Sequence, residues 1–536
     1  MKPSPDAERI SPSSKTAPNI DLDSLESPPK EALALVILWS AREPERVGET
    51  ALIFPPHQQW LLGRMPDSVI TPPLEQELAA PEFVLPPLHS EARPIQFFRQ
   101  RPVGCPDAET LEDAPRHIVG EAISRRQLEI LDRGDTLLVR NVGRCQLAVN
   151  GHVVQSAIVG PGDTLYLRSQ LLLYCTRRAY HMQALRAYPQ ARVRAFGQPD
   201  SDGMIGESPV MWNLRERLAA CARSGFHVLI VGESGSGKEL AAQAIHNLSR
   251  RSDCKLVADN IAAIPPSLAS ALLFGNKKNF PNPGMEERIG LIGAANGSTL
   301  FLDEIGDMPE EVQPMFLRVA ERNGQYFRLG EESRIQRSDF RLVGATNRPE
   351  KMRYELKRRF EREIRVPSLN VHKEDVPLLI RHMLVLHAEN DDIDVQRFFD
   401  GGRPRVHPLL IEQLVHHTYI TNVSEVAFLL GHAMAESTGD VISPLRDGLP
   451  TQSSDNLTPV SLSTPPATVK RPSPQPLPTP VQAQRSLDEH GGHITRAAAA
   501  LGISRDQLNR MIRRDKLIVK RQKRSGGDRS TESGAG

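Results

Sequence analysis

The amino-acid sequence predicts a multidomain chain with three kinds of fold: an all-β sandwich, an α/β domain that carries a helical lid, and an all-α helix-turn-helix. Three patterns support this prediction. Short β-type runs separated by Gly- and Asp-containing turns occupy residues 45–180, apolar strands alternate with helices over residues 204–436, and two short helices joined at a glycine lie near the end of the chain. A length of 536 residues is too great for one hydrophobic core and fits about three or four domains.

The composition argues against several classes of protein. Because the net charge is +1, a nucleic-acid site would have to come from a local cluster of basic residues. The five cysteines are scattered and form no C-x-x-C pair, so neither a disulfide framework nor a zinc site is indicated. The first residues lack the apolar core of a signal peptide, and the apolar run at 32–39 is too short to span a bilayer. We therefore expect a cytoplasmic protein with no membrane partner.

Changes in composition give the expected domain boundaries. Ser, Pro, Asp and Glu dominate the beginning of the chain, which favours disorder, and Ser/Thr/Pro-rich stretches are typical of linkers. The predicted units are a mostly disordered segment at 1–44, the β-sandwich at 45–180, the α/β core at 204–369, the helical lid at 370–436, a flexible linker at 437–480, the helix-turn-helix at 481–520, and a basic, disordered tail at 521–536.

The first unit carries motifs near the ends of its β-type runs. Gly63-Arg64 follows the run at 59–62, and further runs lie at 136–140 and 164–168, with a Pro-rich inserted loop predicted between 65 and 120. A second motif, Ile123-Ser-Arg-Arg-Gln127, lies just before the later runs.

With these motifs, and with Arg140-Asn-Val-Gly-Arg144 followed by Val149-Asn-Gly151, the region resembles a forkhead-associated domain, a β-sandwich that binds phosphothreonine peptides. Gln127 stands where the motif of that family has His, and the family's Asn-Gly-Thr turn has no obvious counterpart. The resemblance implies that Arg64, Ser124 and Arg125 bind the phosphate of a phosphothreonine protein, and guanidinium and hydroxyl groups suit that anion. The alternative is a sandwich that keeps the fold without the ligand.

The α/β unit is organised around residues 227–238. An apolar strand at 228–231 runs into a glycine-rich loop, and a helix is predicted at 239–250, so the first amides and the dipole of the helix point at the loop. The spacing is the phosphate-binding G-x-x-x-x-G-K, although the usual final Ser or Thr is replaced. The alternative is a glycine-rich turn that happens to end in Lys. We expect the phosphates of a nucleotide to be bound by Gly232, Glu233, Ser234, Gly235, Ser236, Gly237, Lys238 and Glu239.

Two further predicted strands, 298–304 and 341–347, end in polar residues. Asp303 at the end of the first can hold Mg²⁺, and Glu304 beside it can orient and deprotonate an attacking water. Asn347 at the tip of the second can sense the γ-phosphate. The expected cofactors are therefore ATP and Mg²⁺, and the alternative for Asp303 and Glu304 is an acidic turn without a catalytic role.

The motifs Gly206-Glu-Ser-Pro209, Gly232 to Glu239, Asn260-Ile-Ala-Ala-Ile-Pro265, Gly297 to Met308 and Ala345-Thr-Asn-Arg348 resemble the AAA+ domain of sigma-54-dependent transcriptional activators. That family carries Glu after the lysine of the loop. The resemblance implies a hexameric or heptameric ring that hydrolyses ATP between subunits. It also implies that Asn260 restrains the catalytic glutamate and that Arg358 or Arg359 is the trans-acting arginine finger, a choice that the sequence leaves open.

Two segments depart from that family. Its sigma-contacting loop, Gly-Ala-Phe-Thr-Gly-Ala, is replaced here by Asn276-Lys-Lys-Asn-Phe-Pro-Asn-Pro-Gly284, in which Phe280 survives and Pro281 and Pro283 stiffen the backbone. The sensor arginine of its lid is Ser424 in this chain. We therefore expect an ATPase that is weakened but not lost, with an altered output loop.

The last unit carries two short predicted helices. Gly502 separates an Ala-rich helix from a basic helix that begins at Ser504, and an excess of Lys and Arg follows. This pattern resembles a Fis-type helix-turn-helix. Such a helix suits the major groove of DNA, with the later basic residues on phosphates; a solvated basic tail behind a small helical bundle is the alternative. The predicted DNA-binding residues are Ser504, Arg505, Gln507, Asn509, Arg510, Arg513 and Arg514.

Two functions of different class follow from these motifs. The first is an ATP-driven, DNA-binding transcriptional regulator that acts on sigma-54 RNA polymerase. The second is a DNA-binding regulator whose AAA+ ring is an assembly switch and does not remodel sigma-54, because the output loop is degenerate. A chaperone-like ATPase is less compatible with the DNA-reading tail. The sequence leaves open the operator, the phosphorylated partner, its kinase and the ring size.

Overall fold

The structure, a computed structural model, describes residues 31–446 except for 55–57, 65–91, 104, 106–114, 281, 321–323, 332 and 390–392, together with residues 484–487. The chain divides into two compact units at residues 460 and 461. In the second unit the described residues form one helical turn, 484–487. Among the residues described, no helix is both long enough and apolar enough to cross a membrane.

The first part of the larger unit is a β-sandwich of two sheets. Its strands are β1 (Glu31–Ser40), β2 (Thr50–Ile53), β3 (Gln59–Leu62), β4 (Arg93–Pro94), β5 (Leu128–Asp132), β6 (Leu137–Asn141), β7 (Leu147–Val149), β8 (His152–Val153), β9 (Ser156–Val159), β10 (Thr164–Leu167) and β11 (Leu171–Ala179). The six-stranded sheet has the order β2-β1-β11-β10-β7-β8, and the five-stranded sheet has the order β4-β3-β5-β6-β9. Neighbouring strands are antiparallel except β3 and β4. The prediction of an all-β sandwich is therefore confirmed.

Strand β1 corrects the predicted boundary of this unit. The expectation that residues 1–44 are mostly disordered is wrong for 31–44, because β1 lies between β2 and β11 and residues 32–38 are all buried. Leu33, Leu35 and Ile37 face the core of the sandwich, whereas Leu38 packs against the helical lid. A strand covered on both faces has a continuous apolar run instead of alternation, so the β1 sequence lacks the pattern that identifies a half-buried strand.

The α/β core follows from residue 209. Its main elements are α1 (Pro209–Arg223), β12 (Val228–Val231), α2 (Lys238–Asn247), β13 (Val257–Asn260), α3 (Pro266–Phe274), α4 (Gly290–Ala294), β14 (Thr299–Asp303), α5 (Gln313–Val319), β15 (Gln325–Tyr326), β16 (Gln336–Arg337), β17 (Arg341–Thr346), α6 (Tyr354–Lys357) and β18 (Arg362–Arg365). The five-stranded sheet is parallel, in the order β13-β14-β17-β12-β18. The carboxyl ends of these strands meet at one edge, where parallel sheets place their ligand sites.

The lid is helical, as predicted. It contains α7 (Val376–Glu389), α8 (Ile393–Gln396), the hairpin strands β19 (Phe399–Asp400) and β20 (Arg403–Pro404), α9 (Pro408–His416) and α10 (Asn422–Glu436). Its apolar core is continuous with the outer face of the six-stranded sheet of the sandwich. The sandwich side chains in this shared core are Leu38, Val47, Ala148, Tyr166, Leu172 and Tyr174.

Polar contacts reinforce the joint between sandwich and lid. The hydroxyl of Thr164 donates a 2.5 Å hydrogen bond to Oε1 of Glu412. The guanidinium of Arg178 lies 3.5 Å from the Glu374 carboxylate, and both side chains are buried. A continuous apolar core, a buried hydrogen bond and a buried ion pair fix the lid against the sandwich, whereas a flexible linker would leave two domains free to move.

Candidate functional site

The glycine-rich loop joins β12 to α2 at the edge where the strands end. Gly235 and Gly237 have φ values of 70° and 95°, which the left-handed region allows for glycine without a steric cost. Gly237 caps α2, so the free N–H groups of the first helical turn face the loop. The predicted strand at 228–231 is confirmed, and the predicted helix begins at Lys238.

Lys238 places its charge inside the loop. Its side chain is buried, and Nζ donates to the carbonyl oxygen of Glu233 at 3.2 Å and lies 3.5 Å from Oε1 of Glu304. Ser236 bonds the same Glu233 carbonyl through its hydroxyl at 2.8 Å. Glu239 is exposed on the first turn of α2. The loop lysine and the predicted catalytic glutamate are thus neighbours across the sheet edge.

Asp303 and Asn260 end adjacent strands. Nδ2 of Asn260 donates to Oδ2 of Asp303 at 3.0 Å. The two parallel strands place Asn260 directly opposite Asp303. The restraint of Glu304 by Asn260, which the resemblance implies, stays a prediction. Burial, and then the neighbouring Glu304 carboxylate, raise the pKa of Asp303 above its ordinary value.

A hydrogen bond joins the backbone of Asn347 to the side chain of Glu304. The N–H of Asn347 donates to Oε2 of Glu304 at 3.2 Å, and Glu304 has a strained φ of 48°. In the described part of the chain, Oδ1 of Asp303 and Oδ1 of Asn347 are buried without a hydrogen-bond partner. Buried polar atoms without a partner are costly, and at the end of a phosphate-binding strand they indicate a place for a ligand.

The two candidate finger residues follow helix α6. Arg358 is exposed, and its guanidinium lies over the ring of Tyr354, 5.6 Å from the centroid. Arg359 is half-buried. The difference in exposure does not by itself assign the finger, because a trans-acting residue contacts a neighbouring copy of the chain.

The start of α10 lies on the phosphate-binding loop, a contact that sequence reasoning missed. Nδ2 of Asn422 donates to Oε2 of Glu233 and to the carbonyl oxygen of Ser234, at 3.1 and 3.0 Å. Ser424, at the position of the family's sensor arginine, lies beside Gly235: a Cβ on that glycine would be 2.8 Å from the serine hydroxyl. The sequence signal for this tight contact was the asparagine at position 422, because asparagine tolerates the left-handed φ of 51° that the start of α10 adopts here.

One end of the β-sandwich brings together the three predicted phosphate ligands. The N–H of Arg64 donates to the carbonyl oxygen of Ser124 at 3.3 Å, and a Cβ on Gly63 would overlap the carbonyl oxygen of Arg125. The hydroxyl of Ser124 accepts from the N–H of Arg144 at 2.9 Å, which leaves its own hydrogen available to an anion.

Gln127 fixes these loops. It is fully buried, its Oε1 accepts from the N–H of Ser124 at 3.0 Å, and its Nε2 donates to Oδ1 of Asn141 at 2.7 Å and to the carbonyl oxygen of Cys145 at 2.8 Å. The side chain of Asn141 also donates to that carbonyl at 2.9 Å. Gln127, which stands where the forkhead-associated motif has His, therefore anchors two loops. Asn141 supports the same loops, a structural role that sequence reasoning missed.

The segment that replaces the sigma-contacting loop of sigma-54-dependent activators is held by hydrogen bonds around Asn276. Asn276 is buried and exchanges backbone hydrogen bonds with Arg288, and its side-chain amide donates to the carbonyl oxygens of Phe280 and Glu286 at 3.2 and 3.0 Å. Phe280 is 39% exposed, and its ring lies against Gly330. Pro281 lies outside the described residues.

The predicted DNA-binding residues, Ser504 to Arg514, also lie outside the described residues, so their support comes from the sequence. Residues 484–514 match the family described as bacterial regulatory protein, Fis family. Residues 204–370 match the family described as Sigma-54 interaction domain.

Two transcriptional regulators show the same likeness in sequence. The chain is 36% identical over 320 residues to the transcriptional regulatory protein ZraR of Escherichia coli (strain K12), a match that covers 57% of this chain and 67% of ZraR. It is 35% identical over 269 residues to the DNA-binding transcriptional regulator NtrC of Rhizobium meliloti (strain 1021), covering 48% of this chain and 53% of NtrC, so it spans about half the length of that relative. Among solved structures, NtrX from Brucella abortus in complex with ATP matches with 25% identity and a TM-score of 0.40, over 60% of this chain and 69% of NtrX.

Proposed function

This chain belongs to the family of sigma-54-dependent transcriptional regulators, and from that premise we propose that it is a DNA-binding regulator that hydrolyses ATP at the site around Lys238. The observation that carries the proposal is the meeting of Lys238, Asp303, Glu304 and Asn347 at the carboxyl edge of one parallel sheet. A glycine-rich loop, a buried cation and two carboxylates at such an edge suit the transfer of a phosphoryl group to water.

The loop and its helix bind the triphosphate. The N–H groups at the start of α2 offer hydrogen bonds to phosphate oxygens, and the helix dipole favours their negative charge. The ammonium of Lys238, now paired with the carbonyl of Glu233 and the carboxylate of Glu304, can turn to the phosphates without a large movement of its stem. Glu239, in place of a Ser or Thr, supplies no hydroxyl, so a metal ion near the phosphates depends on other ligands.

Asp303 is the residue that fits a magnesium ion. Its Oδ1 is buried without a hydrogen-bond partner among the described residues, while Oδ2 is held by Asn260. A carboxylate oxygen in that position is a hard ligand of the kind that magnesium prefers, and the ion, when bound, supplies positive charge to the β- and γ-phosphates. Asn260 orients the carboxylate by fixing one of its two oxygens.

Glu304 is the residue that activates water. Its two carboxylate oxygens are held by different groups, Oε1 near Lys238 and Oε2 by the N–H of Asn347, so the side chain is fixed between the loop and the end of β17. When Lys238 turns to the phosphates, Oε1 loses that partner and becomes free to accept a proton from water. Asn347 then contacts both groups: its N–H holds the Glu304 carboxylate, and its side chain senses the γ-phosphate.

The arginine finger comes from a neighbouring copy, which makes the active form a homo-oligomeric ring. Arg358, exposed beside Tyr354, and Arg359, half-buried, are both candidates for this role. A guanidinium delivered across a subunit boundary stabilises the charge that develops in the transition state and makes hydrolysis dependent on assembly.

The Fis-type segment and the β-sandwich bind the macromolecular partners of the ATPase. The Fis-type segment binds DNA through Ser504 to Arg514, because the sequence from Ser504 onward carries the local excess of Lys and Arg that phosphates require. The sandwich binds a phosphothreonine protein through Arg64, Ser124 and Arg125, which lie on adjoining loops fixed by Gln127. The packing of the sandwich on the lid gives such a partner a rigid connection to the ATPase.

A second candidate function is favoured by the output loop. The loop holds Phe280 against Gly330 and has no threonine beside it, so the side chains with which this family contacts sigma-54 are incomplete. In this candidate the ring is an ATP-dependent assembly switch for DNA binding. Both candidates share the ATPase and the DNA reader and differ in whether sigma-54 polymerase is remodelled.

The shared part is tested by ATP turnover and DNA binding of the purified full chain. The parent protein is expected to hydrolyse ATP, and Lys238→Ala is expected to lose nucleotide binding because the main positive contact to the phosphates is gone. Arg133→Ala, an exposed substitution in the sandwich, is the control and should leave turnover unchanged. Nucleotide binding by Lys238→Ala as tight as that of the parent would show that the site is misassigned.

A further inference from the structure

Asn422, the first residue of α10, connects three parts of the α/β unit. Its side chain is fully buried. Nδ2 donates to Glu233 and Ser234 of the phosphate-binding loop, whereas Oδ1 accepts from the N–H of Leu369 at 2.7 Å and from the hydroxyl of Ser368 at 3.0 Å. An asparagine side chain offers two donor hydrogens and two acceptor lone pairs, and here all four are used.

The contacts on the loop fix the direction of two successive peptide groups. The carbonyl of Ser234 accepts from Asn422, and the carbonyl of Gly235 accepts from the N–H of Val423 at 3.1 Å. Because the C=O and N–H of a trans peptide point in opposite directions, holding these carbonyls toward the lid turns the N–H groups that follow them away from it. Those N–H groups form the anion-binding concavity of a phosphate loop.

The lid leaves no room for the loop to move toward it. A Cβ on Gly235 would overlap the carbonyl oxygen of Thr421, so the two backbones are in direct contact. Asn422 itself is held in the left-handed region, with φ of 51°, and a residue kept in a sparsely populated conformation and fully buried is constrained on every side.

We propose that Asn422 is a positioning residue for nucleotide binding: it holds the phosphate-binding loop in its anion-binding conformation from the lid, without contact with the nucleotide. The inference rests on ATP binding at Lys238, as proposed above. Because the same side chain bonds Ser368 and Leu369, where the chain passes from the core into the lid, a nucleotide in the loop also stabilises the orientation of the lid. In this chain, which has Ser424 in place of the sensor arginine, Asn422 ties the loop directly to the lid.

The test reverses the hydrogen bond between the side chains at positions 422 and 233, so that residue 422 becomes the acceptor and residue 233 the donor. Asn422→Asp keeps the size, the left-handed preference and the acceptor for Leu369, but it cannot donate to Ser234 and places a carboxylate against that of Glu233. We expect fluorescently labelled ADP to bind roughly tenfold or more weakly to the full chain, and the KM for ATP to rise more than kcat falls. In Asn422→Asp/Glu233→Gln, the new amide donates to the new carboxylate, and part of the lost affinity should return.

Gln413→Glu is the matched control, because it makes the same change from amide to carboxylate elsewhere in the lid. The side chain of Gln413 bonds both the carbonyl and the N–H of Leu445, at 3.2 and 3.1 Å, and not the phosphate loop. This variant should bind ADP within about twofold of the parent, because a change of less than roughly 0.5 kcal/mol is expected away from the loop. Glu233→Gln alone, which retains an acceptor for Asn422, is the reference for the double variant.

The outcomes separate this inference from the proposed function. Unchanged ADP affinity in Asn422→Asp, or a double variant that recovers none of the loss, overturns the role of Asn422. A weakening of the same size in Gln413→Glu also overturns it, because the effect would then come from lid packing in general. If the parent protein itself binds no nucleotide, the proposed ATPase fails instead. Thermal unfolding of each variant shows whether a loss of affinity occurs in a folded protein.

Discussion

The side-chain amide of Asn260 donates a 3.0 Å hydrogen bond to Asp303, across the neighbouring strands β13 and β14. The bond occupies one carboxylate oxygen, and the other is buried without a partner. Burial and the nearby Glu304 carboxylate raise the pKa of Asp303. The ionised form of this side chain is therefore maintained at a cost to the fold, as is common for groups whose charge serves a bound ligand.

Asp303→Asn should abolish ATP turnover and stabilise the ligand-free protein by about 1 kcal/mol, because it keeps an acceptor for Asn260 and removes a destabilised charge. Since the folded-state pKa is raised, the folded protein holds this proton more tightly than the unfolded chain, and the parent loses stability as pH rises from the ordinary value of 3.8 through the raised pKa. The advantage of the variant should thus grow over that window and remain at neutral pH. Thermal unfolding at several pH values measures it.

Asp253→Asn, at an exposed aspartate before β13, is the control and should change neither turnover nor unfolding. An Asp303→Asn variant that is less stable than the parent at neutral pH would contradict the assignment of Asp303 as a metal-binding carboxylate whose charge destabilises the ligand-free fold. It would indicate instead a carboxylate that the fold itself requires.

The buried pair of Arg178 and Glu374 gives a test of the joint between sandwich and lid. Arg178→Met leaves a buried carboxylate without its cation and should lower the free energy of unfolding by about 3 kcal/mol. Burial raises the pKa of Glu374, and loss of the arginine raises it further. The deficit of the variant should therefore shrink as pH falls, because the protonated side chain needs no partner. Denaturant unfolding at two pH values measures this change.

Arg178→Met/Glu374→Gln is the matched control for that pair. With the charge removed, much of the lost stability should return even though the ion pair is absent. If the double variant is as unstable as Arg178→Met, the loss comes from packing around Arg178 and not from the unpaired carboxylate.

The sequence was sufficient where chemistry is encoded in short motifs and insufficient where it depends on docking. Gly232 to Lys238 and the strand ends at Asp303 could be located because a phosphate loop requires a fixed order of strand, glycines and helix. Strand β1 could not, since burial on both faces removes the alternation that identifies a strand. The contact between Thr164 and Glu412 joins residues 248 positions apart and arises from the fit of two separate surfaces, which no local pattern reports.

Recognition of phosphothreonine should depend on Arg64 and Arg125. Replacing both with Ala is expected to remove the difference in affinity between a phosphothreonine peptide library and the same library without phosphate, because charge-assisted hydrogen bonds supply that difference. Arg133→Ala, elsewhere on the sandwich surface, should leave it intact. A parent protein that binds both libraries equally would leave the sandwich as a protein-contact domain that fixes or releases the lid.

DNA binding should show the electrostatic signature of Arg513 and Arg514. Replacing both with Ala removes two phosphate contacts, so the slope of log K against log salt should become shallower by about 2 and affinity should fall for all sequences alike. Fluorescence anisotropy titrations over a range of salt concentrations measure both quantities. An unchanged slope would place these arginines away from the phosphates, whereas a loss confined to one operator sequence would indicate base contacts.

The next prediction concerns the rate of ATP turnover. The chain has the main charges for hydrolysis, in Lys238, Asp303 and Glu304, while Ser424 lacks the charge of a sensor arginine, an electrostatic contact worth roughly 2 to 4 kcal/mol of barrier. Turnover should therefore be slow but measurable. Introducing Ser424→Arg tests this directly, because the added guanidinium would face the loop beside Gly235 and should raise kcat if it reaches the γ-phosphate.

Remodelling of sigma-54 should be poor even where turnover is present. The loop that would present a Phe and a Thr is held by hydrogen bonds from the buried Asn276, and the ring of Phe280 lies against Gly330. The loop also contains Pro283, which fixes φ and removes a backbone donor. The measurement is paired: ATP turnover, and open-complex formation at a sigma-54 promoter, with the same preparation. Strong open-complex formation by the parent that is lost in Phe280→Ala, while turnover persists, would overturn this expectation, because it would show that the altered loop still transmits the force of hydrolysis to the sigma factor.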